Sequence, residues 1–164
     1  MNRDGKGMRT ILVVEDYDDI RGMLKILLES EHLRVLEAAS GPEALALIKS
    51  ERPDVVLMDL SLPGFDGCET IRRLRKIDGF QNTPIIVLSA HSAQSSYEAA
   101  FRAGTDYFLT KPVDFDELES LLKQILTNGN VNRSRDSRSA AQRAVNNNKV
   151  SVSHPEMRET SLAL

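Results

Sequence analysis

Short, unbroken aliphatic runs alternate along residues 10–126 with longer stretches in which apolar side chains recur every three or four positions. The first texture is that of strands buried on both faces, and the second that of amphipathic helices. Five such pairs can be read. Strand one is Thr10 to Glu15, and the helix after it places Ile20, Met23, Leu24, Leu27 and Leu28 on one stripe. Strand two is short, Arg34 to Glu37, and Ser40 with Glu43 forms a capping box that opens a helix carrying Ala44, Leu45, Leu47 and Ile48. Pro53 ends that helix and opens strand three, whose aliphatic run Val55 to Met58 meets Asp59. The turn-forming segment Leu60 to Gly67 leads into a helix that buries Ile71 and Leu74. Pro84 opens strand four, Ile85 to Ser89; Ser92 is the expected cap of the next helix, whose apolar face is thin: Ala93, Ala99, Ala100, Phe101 and Ala103. Strand five is Tyr107 to Leu109, and the last helix aligns Phe115, Leu118, Leu121, Leu122 and Ile125.

Strands alternating with helices predict an α/β fold with a mostly parallel sheet. Right-handed crossovers between parallel strands then require helices on both faces. From Thr127 onward the periodicity stops and Asn, Ser and Arg dominate, a composition too polar to offset the entropy of ordering. The expected division is a flexible N-terminus at 1–8, one domain at 9–126, and a disordered tail at 127–164 with no output domain. The charge follows this division, with 15 Lys and Arg against 21 Asp and Glu in residues 1–126, and 6 against 3 in the tail. The basic tail lacks aromatic interleaving, so a nucleic-acid role is not expected.

No apolar run reaches membrane-spanning length, and Met1 to Arg9 carries no hydrophobic core of a secretory signal, so a cytoplasmic location is expected. Cys68 is the sole cysteine, which excludes an internal disulfide and a thiolate metal cluster. His32, His91 and His154 lie far apart without an i, i+4 pair, so a histidine zinc site is not expected.

Candidate chemistry collects where strands end. Glu15 and Asp16 follow strand one, Asp59 strand three, Ser89 strand four, and Lys111 strand five. In open α/β sheets the crevice beyond the carboxyl ends, where strand order reverses, is the usual ligand site. Carboxylates crowded there repel each other and suit a hard divalent cation such as Mg²⁺. Asp59 is placed to attack phosphorus, while Lys111 can neutralise phosphoryl oxygens and Ser89 can offer a hydroxyl. Singly, each acid could instead cap a helix, Asp16 or Asp18 the first one. Jointly, polar groups at four strand ends favour a site.

These residues resemble a known family. Glu15-Asp16, Asp59 followed by Pro63-Gly64 and Gly67, Ser89-Ala90 and Lys111-Pro112 are similar to the receiver domains of two-component response regulators, of the stand-alone, chemotaxis-regulator-like kind. The resemblance covers roughly Arg9 to Leu126. It implies a flavodoxin-like (βα)₅ fold with strand order 2-1-3-4-5. It implies that Asp59 accepts a phosphoryl group from a sensor histidine kinase or histidine phosphotransfer protein, and that the chain is no turnover enzyme, only assisting its own phosphorylation and autodephosphorylation. Asp16, Asp59 and the Ser61 backbone carbonyl would bind Mg²⁺, with Mn²⁺ as a substitute, and Glu15 would act through water. Lys111, on a cis peptide to Pro112, would pair with the phosphoryl oxygens. Ser89 and Phe108 would be the switch pair, and Ser61 and His91 would tune the phosphoryl lifetime. A downstream protein would read the surface, and a homodimer through helix 4, strand 5 and helix 5 is a further expectation.

Phe108 departs from the common tyrosine, so a switch here works by packing alone, and strand alternation turns Tyr107 to the opposite face. A phosphatase of the haloacid dehalogenase type also uses an aspartate nucleophile, but Ser61 stands where its second aspartate would be. Neither a G-x-x-x-x-G-K-[ST] nor a G-x-G-x-x-G pattern follows strand one, which disfavours nucleotide binding.

Overall fold

The computed structural model describes residues 7–64 and 66–127. The expected tail lies outside the described residues except for Thr127, as does the expected flexible N-terminus except for residues 7 and 8. In chain order the elements are β1 (Thr10–Val14), α1 (Asp18–Ser30), β2 (Arg34–Ala38), α2 (Gly41–Glu51), β3 (Val55–Asp59), α3 (Gly67–Leu74), β4 (Ile85–Ser89), α4 (Gln94–Ala103), β5 (Tyr107–Thr110) and α5 (Phe115–Thr127). The strands form one parallel sheet in the order β2-β1-β3-β4-β5. The flavodoxin-like (βα)₅ fold expected from the sequence is therefore present.

Each strand feeds two cores because successive side chains point to opposite faces. Leu12, Val14, Val56, Met58, Ile85 and Val87 pack with Ala44 and Ile48 of α2, Ile71 and Leu74 of α3, and Ala100 and Ala103 of α4. Their neighbours Ile11, Val13, Val55, Leu57, Ile86 and Leu88 pack against Leu24 and Leu28 of α1 and Leu118, Leu122 and Ile125 of α5. Burial on both faces explains why the sequence shows unbroken aliphatic runs instead of alternation. Tyr107 and Phe108 divide as expected, joining the α1/α5 side and the α2/α3/α4 side respectively.

Several local expectations are corrected. Met23 is 45% exposed because it lies about 100° round the helix from Leu24, outside the stripe centred on Leu24 and Leu28. Neither Asp16 nor Asp18 caps α1; Tyr17 is the N-cap residue and makes no side-chain capping bond. Ala93, not Ser92, occupies the N-cap of α4, also without a side-chain bond. The capping box of α2 is present, with the Glu43 N–H donating to Ser40 Oγ at 3.4 Å and the Ala39 N–H, one residue before the cap, donating to Glu43 Oε2 at 2.7 Å.

One feature fixes the carboxyl edge of the sheet, where the site lies, and another its amino edge. Gly67 opens α3 and its N–H donates to the Leu60 carbonyl at 3.1 Å. A Cβ there would stand 2.3 Å from the Asp59 carbonyl oxygen and 2.7 Å from Leu60 Cα, so the loop after β3 can close only over glycine. Arg75, just past α3, donates to the carbonyls of Phe80, Thr83 and Gly104 and pairs with Asp106 at 2.7 Å, tying the end of α4 to the start of β5. Gly67→Ala is expected to destabilise the fold by about 1–3 kcal/mol through backbone displacement. Urea unfolding checks this, and an unchanged midpoint would show that the loop can yield.

Candidate functional site

The sheet register brings the acids together. Val14 pairs with Met58 across β1 and β3, so the next residues, Glu15 and Asp59, leave the sheet side by side. Asp59 in turn pairs with Leu88, and Ser89 with Thr110, which places the ends of β3, β4 and β5 in step. The Lys111 N–H donates to the Ser89 carbonyl at 2.8 Å, and the bond from Lys111 to Pro112 is cis, as expected. The Lys111 side chain reaches back over β4, where Nζ donates to Glu15 Oε2 at 2.6 Å and to Asp59 Oδ2 at 2.7 Å.

Glu15 and Asp59 are nearly fully buried, at 1% and 4% exposure. Burial, reinforced by the charge of Asp59, pushes the Glu15 pKa up against the opposing pull of Lys111. For Lys111, burial works against the charge, but the bonds to Asp59 and Glu15 outweigh it and raise its pKa. The ammonium therefore stays protonated at neutral pH.

One oxygen of each of Glu15, Asp16 and Asp59 lies within 4.8 Å of the others. Asp16 Oδ1 is buried with no hydrogen-bond partner, the one such side-chain atom among the described residues. A buried, unpartnered carboxylate oxygen is costly unless something positive meets it. The set of hard oxygen donors thus fits a divalent cation.

The remaining predicted residues frame this cluster. The Ser61 N–H donates to Asp59 Oδ1 at 2.8 Å, and the His91 N–H donates to Ser89 Oγ at 3.1 Å. Each of the two expected lifetime-tuning positions therefore closes a two-residue turn on a site side chain. Ser61 and His91 are themselves exposed, whereas Ser89 is fully buried. Phe108 is half-buried and lies under Tyr97 of α4, with ring centroids 5.1 Å apart; Tyr97 also packs on Phe101 at 4.6 Å. The sequence reading missed Tyr97, although its i, i+4 spacing to Phe101 was a signal. It also missed Arg21, whose Nη1 donates to the Glu15 carbonyl at 2.8 Å. Cys68 is half-buried, and burial together with the neighbouring Asp66 charge pushes its thiol pKa up, as suits an inert thiol.

Three acids and a facing lysine thus stand together at the carboxyl edge of a doubly wound sheet. The family model of the response regulator receiver domain matches residues 11–123, and the chain belongs to that family, whose members act in two-component signalling. Sporulation initiation phosphotransferase F of Bacillus subtilis (strain 168) is 34% identical over 116 residues, 71% of this chain and 92% of that protein. The transcriptional regulatory protein AfsQ1 of Streptomyces coelicolor is 36% identical over 122 residues, 74% of this chain and 53% of that protein. The chain thus spans about half the length of AfsQ1, and likewise 52% of the Escherichia coli regulator KdpE. Among solved structures, the receiver domain of the sensor histidine kinase PA1611 from Pseudomonas aeruginosa, with magnesium coordinated in its active site cleft, is 31% identical. It aligns with a TM-score of 0.69 over 74% of this chain and 99% of that one. The chemotaxis protein CheY4 of Vibrio cholerae is 28% identical, with a TM-score of 0.70 over 73% and 99%.

The charge arrangement predicts opposite effects at two positions in metal-free protein. Asp59→Asn removes one of three crowded carboxylates while leaving Lys111 paired with Glu15, and is expected to stabilise by about 1–2 kcal/mol. Lys111→Met leaves both buried carboxylates facing each other and is expected to cost about 3 kcal/mol. Chemical unfolding in EDTA tests both signs; destabilisation by Asp59→Asn would mean that its ion pair with Lys111 outweighs the repulsion.

Proposed function

We propose that the chain is a Mg²⁺-dependent phosphoacceptor in a two-component pathway, with Asp59 receiving the phosphoryl group from a sensor histidine kinase or a histidine phosphotransfer protein. The observation that carries this reading is the Lys111 ammonium bonded to both Glu15 and Asp59, beside the unpartnered buried oxygen of Asp16. Asp16 and Asp59 would hold the ion directly with the Ser61 carbonyl, and Glu15 through water; Mn²⁺ would substitute. When bound, the ion neutralises charge on the phosphoryl oxygens.

In the transfer, an Asp59 carboxylate oxygen forms a bond to phosphorus while the bond from phosphorus to the donor imidazole nitrogen breaks. Lys111 then exchanges a carboxylate partner for a phosphoryl oxygen, and Ser89 Oγ turns from the His91 N–H toward the new group. Phe108 follows into the space beside Ser89, carrying the change to Tyr97 and α4. The altered surface of β4, β5 and α4 would be met by a downstream protein or by a second copy through α4, β5 and α5. The chain assists its own phosphorylation and autodephosphorylation without turning over a separate substrate. The likeness to a phosphotransferase over 92% of that protein's length supports a relay role.

Incubation with acetyl phosphate and Mg²⁺ is expected to add one phosphoryl group by intact mass, labile to hydroxylamine. EDTA or Asp59→Asn is expected to abolish it. Labelling of Asp59→Asn at the wild-type level would overturn the assignment.

A further inference from the structure

Two of the three clustered acids, Glu15 and Asp16, sit on the three-residue connection 15–17 between β1 and α1. That connection enters α1 without a capping side chain. The Glu15 N–H donates to the Ala38 carbonyl at 3.0 Å and the Tyr17 N–H to Glu15 Oε1 at 3.3 Å, and a further anchor comes from one turn along, where Arg21 folds back over the connection. Nη1 donates to the Glu15 carbonyl at 2.8 Å and, more weakly, to the Asp16 carbonyl at 3.5 Å. The guanidinium is itself held, by Asp18 at 2.5 Å and by Glu37 of β2 at 3.6 Å, and its side chain is 16% exposed. Because Asp16 Oδ1 has no hydrogen-bond partner, no bond at that oxygen aims the carboxylate, and the backbone whose carbonyls Arg21 grips helps to place it.

We infer that Arg21 is a positioning residue for the divalent-cation site, setting its affinity by fixing the backbone of Glu15 and Asp16 without touching the ion. The inference rests on the metal reading proposed above. Its sign separates it from simple electrostatics. A positive charge close to a cation site weakens binding, so deleting it should on Coulombic grounds tighten the ion. Loss of a fixed loop does the reverse, since groups that orient metal ligands contribute strongly to affinity. The planar fork also matters, because a lysine offers a single point of attachment.

The test is calorimetric titration of the full chain with Mg²⁺, with metal-free thermal unfolding alongside. Arg21→Gln is expected to weaken binding roughly tenfold, and Arg21→Lys to recover only part of the loss. Lys25→Gln, which removes a charge paired with the same Glu37 but does not touch the loop, is expected to stay within about twofold of wild type. With acetyl phosphate, the Mg²⁺ concentration for half-maximal labelling of Arg21→Gln should rise while the rate at saturating Mg²⁺ holds, a split that a merely damaged fold would not give. Equal or tighter binding by Arg21→Gln overturns the inference and leaves the phosphoacceptor reading intact. Absence of divalent-ion binding by wild type overturns the metal reading and this inference with it. Should Arg21→Gln fail to fold, Arg21→Lys decides: folded with weaker binding supports the role, and folded with wild-type binding overturns it.

Discussion

One ammonium group shared between two buried carboxylates governs the carboxyl edge of this sheet. Lys111 comes from the end of β5, whereas Glu15 and Asp59 come from β1 and β3, so its two bonds span β4 and join three strands. Without a cation between them, acids from adjacent strands in this register would repel each other in a poorly solvated pocket. The strand ends must therefore stay in step for the lysine to reach both. That requirement is met by the parallel register and by the bond from the Lys111 N–H to the Ser89 carbonyl.

Three carboxylates facing one ammonium leave the pocket negatively charged, and the buried, unpartnered Asp16 oxygen marks where compensation is missing. The adjoining backbone holds two of the site side chains in place, since the N–H groups of Ser61 and His91 donate to Asp59 and Ser89 from two residues away. Gly67 allows the loop beyond Asp59 to close against the strand end itself.

The fold was legible because its strands are buried on both faces and appear in the sequence as unbroken aliphatic runs with Pro, Ser and acidic residues between them. The site was legible because Glu15, Asp16, Asp59, Ser89 and Lys111 each terminate such a run. Arg21 and Arg75 escaped notice for a common reason: each grips backbone carbonyls, which carry no residue-type signature in a sequence. Met23 was misplaced because a three-to-four residue spacing defines a stripe but not its width. Tyr97 was passed over because α4 was read by its alanines, and its ring lies over Phe108, a contact between elements that periodicity does not encode.

The two ends of α4 are held very differently. Its C-terminal end passes into left-handed Gly104, whose carbonyl takes two bonds from Arg75, while its N-terminal end at Ala93 has no side-chain cap. A rod pinned at one end swings instead of sliding, so motion transmitted through Phe108 and Tyr97 would grow with distance from Gly104. Over a helix of this length, about 15 Å, any tilt about the pin would displace most the end beside His91, making Arg75 the fulcrum of a lever.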